Sequence, residues 1–522
     1  MATCPVTKID SSRSGLRIAL EACYLQLHSQ GDDDGKAPVF RPFEPNSYSD
    51  FGGQPTYTSR NPINASRQMQ RGRITNREAS GGFTQDLTPD WGWLLQGLCF
   101  AAAHTKPASV NFYDDYAAST TVTAISSDVL STGAAIDGLA EGHIVKLSGF
   151  TNASNNGAFL VTAVSGTDIT LSAGTVDEAT PPATAKVEAV GYQNSGGGSI
   201  TVAAGALPRL TLDIDPTELG LQAGEWIYIG GDDPNTAFTN EVNNGFARIG
   251  SIDGNDLVLD KTDATMVAGT ASALEIYFGA MIRNEKDPSL IKEFSYTLER
   301  SLGQDANNKT QGEYVKGAVA NQLTLSLPTA DKLTVETTFI AGKSQVYKDD
   351  GVDENFVTGV RPDIVPQHAF NSTSDIARFR LMVVDPTTSN PTNQIGVVSE
   401  ATLTINNNAS GLNGIGQMGF FAVSSGNFEV GGDITAYFTD VDTLKLVNYG
   451  TECTVDYAIV FENTGFIFDV PGLTLGNGRL SVEANSPITL PVSTSGYESK
   501  FGNTLTCMQF HYLPDRAEVA QV

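Results

Sequence analysis

The feature that most constrains the fold is an internal repeat in the middle of the chain. The repeated unit opens with Gly-Leu-x-x-Gly, passes through a short apolar run, and then carries an Asn-Asn-Gly motif followed by alternating apolar residues. The two motifs consist of Asn155, Asn156, Gly157 and of Asn243, Asn244, Gly245. From Asn155 to Leu171 every matched position recurs 88 residues later, and the only length change is six extra residues before the second motif. Such ordered agreement predicts two tandem modules of one fold.

Each copy is predicted to be a small all-β domain. Asn-Gly followed by alternating apolar residues is a hairpin signal, and further turns are expected at Gly166 and Gly254. Each copy should therefore form a small barrel or sandwich of about five or six short strands. The Gly/Ser-rich run at 194–199 is a natural linker between them, which sets the predicted domains at 105–195 and 196–285.

The clearest helix signal precedes the repeats. Thr88 is a predicted N-cap, Pro89 occupies the first helical position, and Asp90 faces the positive end of the helix. One apolar face at helical period is formed by Trp91, Leu94, Leu95 and Leu98. A strand-like stretch, bent at Gly81-Gly82, comes before the helix.

Strand patterns lie on both sides of the repeats. Residues 286–345 alternate cleanly in long segments, whereas residues 345–395 are rich in loops and are expected to form surface or intersubunit arms. Residues 396–522 follow the order of the first unit. A strand with a Gly-Gly pair leads to Asp440, a predicted N-cap, and then to a short helix and a long hairpin. This order indicates a divergent duplication.

The expected fold class is therefore mainly β. It comprises two β-sandwich or barrel domains, each with a short flanking α-helix, and two tandem small all-β repeat domains inserted into the first. The first large domain is predicted to be discontinuous, at 1–104 and 286–395, and the second to span 396–522.

The charge balance excludes one class of partner. The chain has 59 acidic and 32 basic residues, a formal net charge of −27. It lacks the surplus of Lys and Arg that phosphate binding to nucleic acid requires. The acidity either serves solubility or provides a surface along which a polyanion moves without sticking.

The remaining residue counts point away from a cofactor, a metal site or a membrane span. The five cysteines form no CxxC pair, and the apolar stretch near the N-terminus is broken by Arg17 and Glu21, so it is not a signal peptide. No run of 18 apolar residues occurs. A reducing assembly compartment fits these features.

Catalytic constellations are also missing from the sequence. None of the five histidines pairs with another at metal-ligand spacing, and GxSxG and P-loop motifs do not occur. Asp213, Asp215 and Glu218 either bind a cation or, the better explanation, form a solvated strand end. We expect no catalytic residue. Trp91 and Trp93 are better explained by helix packing than as a carbohydrate platform, with a subunit contact as the alternative for Trp93. Trp226, expected to be exposed, is the more plausible residue for stacking on a sugar.

Several segments resemble the tail tube proteins of siphophages, the long-tailed bacteriophages. The resemblance is carried by SGLRIALEAC, ITNREASGGFTQDLTPDWGWLLQGL, FSYTLERS, EYVKGAVANQLTLSLP and VETTFIAGKS, and in the second half by SEATLTINNNASG and FEVGGDITAYFTD. It covers roughly residues 15–104 and 286–515.

The resemblance implies a structural virion protein rather than an enzyme. Family members of the doubled type are similar to homotrimers that imitate a hexameric ring. Their rings stack into a hollow tail, assembled in the host cytoplasm, through which genomic DNA passes during ejection without specific binding. Implied partners are other copies of the chain, the tape measure, the tail terminator, and distal tail or baseplate proteins.

The same resemblance implies that the repeats are decoration domains, Ig-like or otherwise β, that point outward. They either stabilise the outer wall or contact host-surface glycans weakly. Two other classes of protein stay open at this point. One is a β-modular adhesin or tail fibre that binds a receptor or glycan, and the other is an enzyme acting on cell-surface glycans.

Overall fold

The computed structural model describes residues 14–28, 37–60, 63, 68, 70–102, 104, 106, 122–182, 185–203, 206–305 and 307–518. Strands hold 51% of the residues and helices 6%, so the expected mainly-β fold class is confirmed. Among the described residues no helix is long and apolar enough to cross a membrane.

The strands before the end of the repeats are β1 Gly15–Cys23, β2 Gln26–Leu27, β3 Arg41–Phe43, β4 Pro45–Thr58, β5 Arg73–Asp86, β6 Val122–Ser126, β7 Val129–Thr132, β8 His143–Ser148, β9 Gly157–Ser165, β10 Asp168–Leu171, β11 Lys186–Asn194, β12 Gly198–Thr201, β13 Arg209–Thr211, β14 Trp226–Ile229, β15 Gly245–Asp253, β16 Asp256–Thr262, β17 Gly269–Ala271 and β18 Leu274–Tyr277.

The later strands are β19 Ala280–Arg283, β20 Tyr296–Gln304, β21 Thr310–Leu327, β22 Thr334–Ala341, β23 Lys343–Lys348, β24 Ile376–Val383, β25 Val398–Asn406, β26 Ser410–Asn413, β27 Phe420–Ser424, β28 Glu429–Tyr437, β29 Cys453–Phe461, β30 Thr464–Asn477, β31 Thr489–Gly496 and β32 Thr506–Phe510. The α-helices are α1 Leu95–Cys99 and α2 Asp442–Tyr449, and the 3₁₀ helices are Pro89–Leu94, Ala153–Asn155, Glu241–Asn243 and Asp515–Ala517.

The large sheet consists of two halves with the same strand order. In the first half-sheet the hydrogen-bonded order is β1-β20-β21-β22-β5-β4. In the second half-sheet it is β24-β29-β30-β31-β28-β25. Each half also has a helical segment between its equivalent strands, after β5 and after β28. This shared strand order is what a duplication of one unit produces.

The register of the two half-sheets agrees as well as their order. In the β20–β21 hairpin the pairing runs from Leu298↔Val315 to Tyr296↔Ala318, across a bulge. In the β29–β30 hairpin it runs from Val455↔Val470 to Cys453↔Leu473, across a bulge at the same place. A one-residue bulge re-aims every side chain beyond it, so its retention keeps the same residues facing the core in both halves.

The two half-sheets are joined inside the chain by one strand pair. The second part of β21 pairs with β25, from Gln322↔Asn406 to Leu327↔Ala401. Side chains of both halves pack into a single core, in which Phe83, Leu325 and Leu403 are fully buried. The halves therefore form one continuous sheet over one shared core.

The predicted helix exists, but its first part is a 3₁₀ helix. Thr88 has the extended backbone of an N-cap and makes no side-chain cap hydrogen bond. The Pro89 carbonyl accepts a hydrogen bond from Gln509 Nε2 at 2.8 Å, and Gln509 lies where a Cβ on Gly92 would stand. The hydrogen-bond donor to the Pro89 carbonyl is therefore a side chain from outside the helix. The predicted apolar face, Trp91, Leu94, Leu95 and Leu98, is fully buried in the shared core.

Two further expectations about the helices need correction. Trp93 is buried, with its ring 5.2 Å from that of Tyr296 in an edge contact and the Arg41 guanidinium 5.2 Å from its centroid. It is therefore a core residue, which agrees with the helix-packing interpretation and rules out the alternative of an exposed subunit contact. The N-cap of α2 is Val441, although the Asp440 carboxylate accepts a hydrogen bond from the Asp442 amide at 2.8 Å.

The inserted repeats form a second sheet in which both copies have one topology. The first copy has the order β6-β7-β10-β9-β8-β11, and the second has β12-β13-β16-β15-β14-β18 with β17 added beside β12. Pairing between β11 and β18 joins the copies into one sheet. The predicted linker at 194–199 is a short turn between β11 and β12, because Asn194 ends one strand and Gly198 begins the next.

Candidate functional site

The β29–β30 pair is buried on both faces, and this explains its nearly continuous apolar sequence. Val455, Tyr457 and Ile459 point into the shared core. Ala458 and Val460, which alternate with them, point into a second core that also contains residues of the inserted sheet. A strand buried on both faces loses the apolar–polar alternation of a surface strand. The insertion is therefore packed against the second half-sheet.

A group of buried charges lies at the centre of this contact. Asp456 and Asp469 are directly opposed on β29 and β30, and both are fully buried. Lys261 Nζ of β16 lies 3.0 Å from Asp456 Oδ1 and 2.8 Å from Asp469 Oδ1. It also donates to Thr454 Oγ1 at 2.7 Å. One buried ammonium thus joins two carboxylates of the sheet to the insertion.

Two arginines complete the neutralisation of the Asp456 and Asp469 carboxylates. Arg248 of β15 contacts Asp469 at 2.8 Å and forms a two-pronged pair with Asp260 at 2.8 and 3.1 Å. Arg378 of β24 contacts Asp456 and lies 2.6 Å from Asp263 Oδ1 of the insertion. Such planar, bidentate pairing gives geometric specificity as well as attraction. We call these charged residues, together with Lys261, the docking cluster.

The electrostatic environment keeps the carboxylates of Asp456 and Asp260 ionised. Burial alone would raise the pKa of Asp456, but the nearby Arg378 and Lys261 outweigh it and hold this pKa well below its usual range. In the same way, Arg248 overcomes the effect of burial and lowers the pKa of Asp260. Buried charges of this kind are tolerated only when they are paired and hydrogen-bonded.

Trp226 belongs to the docking surface and is not exposed, so its predicted role in stacking on a sugar is wrong. The side chain is fully buried, and its Nε1 donates to Asp469 Oδ2 at 3.0 Å. Arg378 and Lys261 lie 5.2 and 5.7 Å from its ring centroid. The indole therefore packs among the charges of the docking cluster and excludes water from them.

The first repeat also contacts the second half-sheet. Lys146 Nζ of β8 donates to the His511 carbonyl at 2.7 Å, and His511 Nδ1 lies 2.6 Å from Glu188 Oε1 of β11. Apolar side chains from both repeats, including Ile144 and Phe246, pack in the second core. Both repeats are therefore anchored to the sheet, and neither is attached only through its chain ends.

The Asn-Asn-Gly motifs have the same structural role in both copies. Asn155 and Asn243 are fully buried, and each pairs its side-chain amide with the backbone of one residue in a loop. Asn155 bonds both the N–H and the carbonyl of Val176 at 2.8 and 2.9 Å, and Asn243 does the same with Val267 at 2.9 and 2.9 Å.

The second asparagine of each motif holds the preceding loop. Asn156 bonds the N–H and carbonyl of Phe150, both at 3.0 Å, and Asn244 does so with Phe238 at 2.9 Å. The motif ends a 3₁₀ turn and begins β9 or β15, so it is not the two-residue hairpin turn that its sequence predicts. The tight turns lie instead at Gly166 and Gly254, which both have positive φ.

The first half-sheet is covered by its own chain. Glu299, at the position equivalent to Asp456, is buried and paired with Arg361 at 3.1 Å. Phe40 and Tyr347 pack beside this pair. Part of the loop-rich segment predicted to form arms therefore covers the chain's own sheet. The insertion performs the same covering role on the second half-sheet.

Where the large sheet is not covered, its side facing away from the shared core is polar. Side chains that point away from the shared core form rows across paired strands. One row consists of Thr84, Glu336, Thr324, Thr404, Gly431, Ser495 and Thr474, and the next of Asp86, Thr334, Ser326, Thr402, Asp433 and Ser493. Glu400 and Thr435 extend this polar face. None of these residues is Lys or Arg, so the polar face carries carboxylates and hydroxyls.

Two of the acidic residues singled out in the sequence, Asp213 and Asp215, accept local hydrogen bonds. Asp213 accepts from the Gly196 amide at 2.7 Å, and Asp215 accepts from the Thr217 amide at 2.9 Å. Within the described ranges no group of three or more His, Cys, Asp or Glu side chains is arranged to hold a metal ion.

The docking cluster was not identified from the sequence, although a signal existed. Asp456 and Asp469 each interrupt an apolar run, TVDYAIVF and FIFDVPGL. A carboxylate in the middle of such a strand requires a buried cation.

Comparison with family models gives a match to the model described as phage tail tube protein, over residues 11–496. No curated protein matches the chain.

Proposed function

The chain belongs to the phage tail tube protein family, and we propose that it forms rings of three copies that stack into the tail tube of a siphophage. The observation that carries the proposal is the β21–β25 junction, where two equivalent half-sheets continue one another edge to edge. If neighbouring copies join as the halves do, three chains supply six half-sheets to a closed barrel. Closure removes the exposed strand edges of each copy.

The polar face is the proposed lining of the channel. Its hydroxyls are neutral, and its charges, which include Glu336, Glu400 and Asp433, are negative. A surface of this kind repels phosphate, and the neighbouring Lys332 is already paired with Asp86 at 2.7 Å. DNA would therefore pass during ejection without specific contacts.

The inserted repeats are proposed as decoration domains on the outer wall. They contact the face of β29 and β30 that points away from the shared core. The polar rows lie on other strands, β5, β22, β25, β28 and β31, and on the C-terminal ends of β21 and β30. This arrangement supports the proposed division into 1–104 with 286–395, 105–195, 196–285 and 396–522. The burial of Trp226 supports wall stabilisation over binding of host-surface glycans as the role of the repeats.

The family assigns the chain to the virion tail as a structural component that assembles with itself. Assembly in the host cytoplasm and contacts with a tape measure, tail terminator and distal tail proteins complete the proposal. We infer no enzymatic role. Heterologous contacts between ring faces generate an open filament, which is the geometry that a tube requires.

Electron microscopy of the purified protein tests the proposed function. Concentrated protein should form stacked rings with a central channel, with three copies in each ring and density for the repeats on the outside. Particles without a channel, or rods in which the repeats line the centre, would rule out the proposed arrangement.

A further inference from the structure

From the internal duplication we infer which edges join neighbouring copies: β4 of one copy pairs with residues 478–482 of the next. The inference rests on the proposed ring, but it makes a separate claim about strands and register. The partner is a second copy of this chain, and the template for the contact is the β21–β25 junction within each copy.

The first argument is that one hairpin is incomplete in the isolated chain. β21 continues to Leu327 and pairs with β22 up to Ser326↔Thr334. Its equivalent, β30, ends at Asn477. Beyond that point one isolated bridge, Ser481↔Thr489, occupies the position equivalent to Ser326↔Thr334. The register of the longer hairpin is therefore preserved, although the strand is not formed.

Gly478 marks the place where the strand stops. Its φ is +64°, in the left-handed region that glycine enters without a steric penalty. Glycine returns to an extended conformation as easily, so a partner strand can complete the hairpin. An isolated copy thus avoids presenting a finished sheet edge, which would invite irregular pairing.

The second argument is the exposure of apolar side chains at this end of the hairpin. Leu480, Val482 and Ile488 are 36%, 68% and 39% exposed. Their equivalents in the first half-sheet are Leu325, Leu327 and Leu333, which are 1%, 7% and 0% exposed. The apolar pattern of a buried strand is present in both hairpins. Only the first hairpin has the neighbour that buries it.

The third argument identifies that neighbour. In the first half-sheet the covering strand is β25, and β25 is equivalent to β4. Tyr48 pairs with Phe83 on β5 as Ala401 pairs with Ile434 on β28. Among the described residues, β4 pairs with β5 on one side and with no strand on its other side.

The template also fixes the register of the contact. Within the chain, Leu327 lies opposite Ala401 and Ser326 lies opposite Thr402. The equivalent residues between copies place Val482 opposite Tyr48 and Ser481 opposite Ser49. The bulge in β4 after Ser49 limits the prediction to these two pairs.

Cysteine cross-linking of assembled protein tests this register. Opposed residues of antiparallel strands lie about 4.5–5.5 Å apart at Cα, within the range that a disulfide spans. In a background with Cys4→Ser and Cys23→Ser, the pair Tyr48→Cys with Val482→Cys should give disulfide-linked oligomers up to a closed ring. The mismatched pair Tyr48→Cys with Leu480→Cys should give at least about tenfold less cross-linked product, because Leu480 lies two residues, about 6.7 Å, from Val482 along the strand.

Hydrogen exchange on the unmodified chain provides a measurement that needs no substitution. Amides of residues 478–482 and of the outer edge of β4 should exchange rapidly in the isolated chain and be protected in tubes. Failure of the wild-type chain to form tubes under any condition would count against the proposed function. Tubes that form while these amides stay open, or cross-link only in another register, would overturn this inference alone.

Discussion

Asp456 and Asp469 lie directly opposite each other on β29 and β30, and their carboxylates share the ammonium group of Lys261. Two opposed carboxylates on adjacent strands repel each other unless a cation lies between them. The required cation comes from the inserted second repeat. The second half-sheet is therefore electrostatically incomplete without the insertion, and the two parts are expected to be stable only together.

Lys261→Met should strongly destabilise the chain. The substitution keeps most of the side-chain volume but leaves two buried carboxylates short of a partner, at a cost of about 3–5 kcal/mol. We expect a large fall in the urea midpoint of unfolding and faster proteolysis between the insertion and the sheet. Lys500→Met is the matched control, because Lys500 pairs with Asp260 at the surface. It should lower the free energy of unfolding by less than about 1 kcal/mol. Equal effects of the two variants would contradict the central role of Lys261.

Acid should weaken the same contact. The pKa of Asp456 is depressed in the folded chain because Arg378 and Lys261 outweigh the effect of burial, and the pKa of Asp260 is depressed beside Arg248. A carboxyl with a lower pKa when folded stabilises the fold above its unfolded pKa of about 4, and the stabilisation is lost as the pH falls below that value.

The measurement of this acid effect is the urea midpoint between pH 6 and pH 3. The midpoint should fall in the acid range, and Asp456→Asn should reduce the slope because one linked proton is removed. An unchanged slope in Asp456→Asn would show that other carboxyls account for the acid sensitivity.

Trp226→Ala should open the docked contact without affecting any sugar-binding property. Truncation of a buried indole costs about 3–5 kcal/mol, through lost burial and a cavity beside the charges. Trp226→Phe keeps most of the apolar volume, loses only the hydrogen bond to Asp469, and should be milder. The thermal unfolding midpoint should be highest for the wild type, lower for Trp226→Phe and lowest for Trp226→Ala. If Trp226→Ala were as stable as the wild type and had lost binding to a glycan, Trp226 would be an exposed sugar-stacking residue after all.

The sequence predicts the sheets well and the contact between them poorly. Alternation of period two indicates the strands, and the apolar spacing places Trp91 and Leu98 in the core. These are local patterns, since each depends only on neighbouring residues of one strand or helix. The burial of Trp226 depends instead on charges such as Asp469, which lie far away in the chain. Nothing in the residues next to Trp226 marks this contact, and the one local signal is the pair of apolar runs that Asp456 and Asp469 interrupt.

The motif asparagines illustrate the same limit at a shorter range. Asn-Gly is a turn signal because both residues tolerate positive φ. Asn155 and Asn243 are nevertheless buried, since their side chains replace a missing strand partner at Val176 and Val267. The repeat is visible in the sequence, but the function of its most distinctive residues depends on tertiary contacts.

Asn155→Ala and Asn243→Ala should each lower the free energy of unfolding by about 1–3 kcal/mol per unsatisfied buried group. The backbone groups that the two asparagines bond in the wild-type chain become unpaired. The effect should be confined to the repeat that carries the substitution, as judged by hydrogen exchange of its own strands. Asn152→Ala is the control in the same loop, since Asn152 caps one 3₁₀ turn with a single bond and should cost about 1 kcal/mol. A smaller loss for Asn155→Ala than for Asn152→Ala would disprove the buried role.

Charge reversal on the polar face should slow DNA ejection without preventing assembly. Glu336→Lys, Glu400→Lys and Asp433→Lys each place an ammonium on the face that we propose as the channel lining, and every copy in the stacked rings repeats it. Each added cation creates a phosphate contact, so ejection should slow and should recover as salt rises. Glu218→Lys, on an exposed turn of the insertion, changes the net charge equally and should leave ejection unchanged. Ejection kinetics that are the same for all four variants would mean that this face does not meet the DNA, because a salt-dependent retardation is the direct consequence of cations along the path of a polyanion.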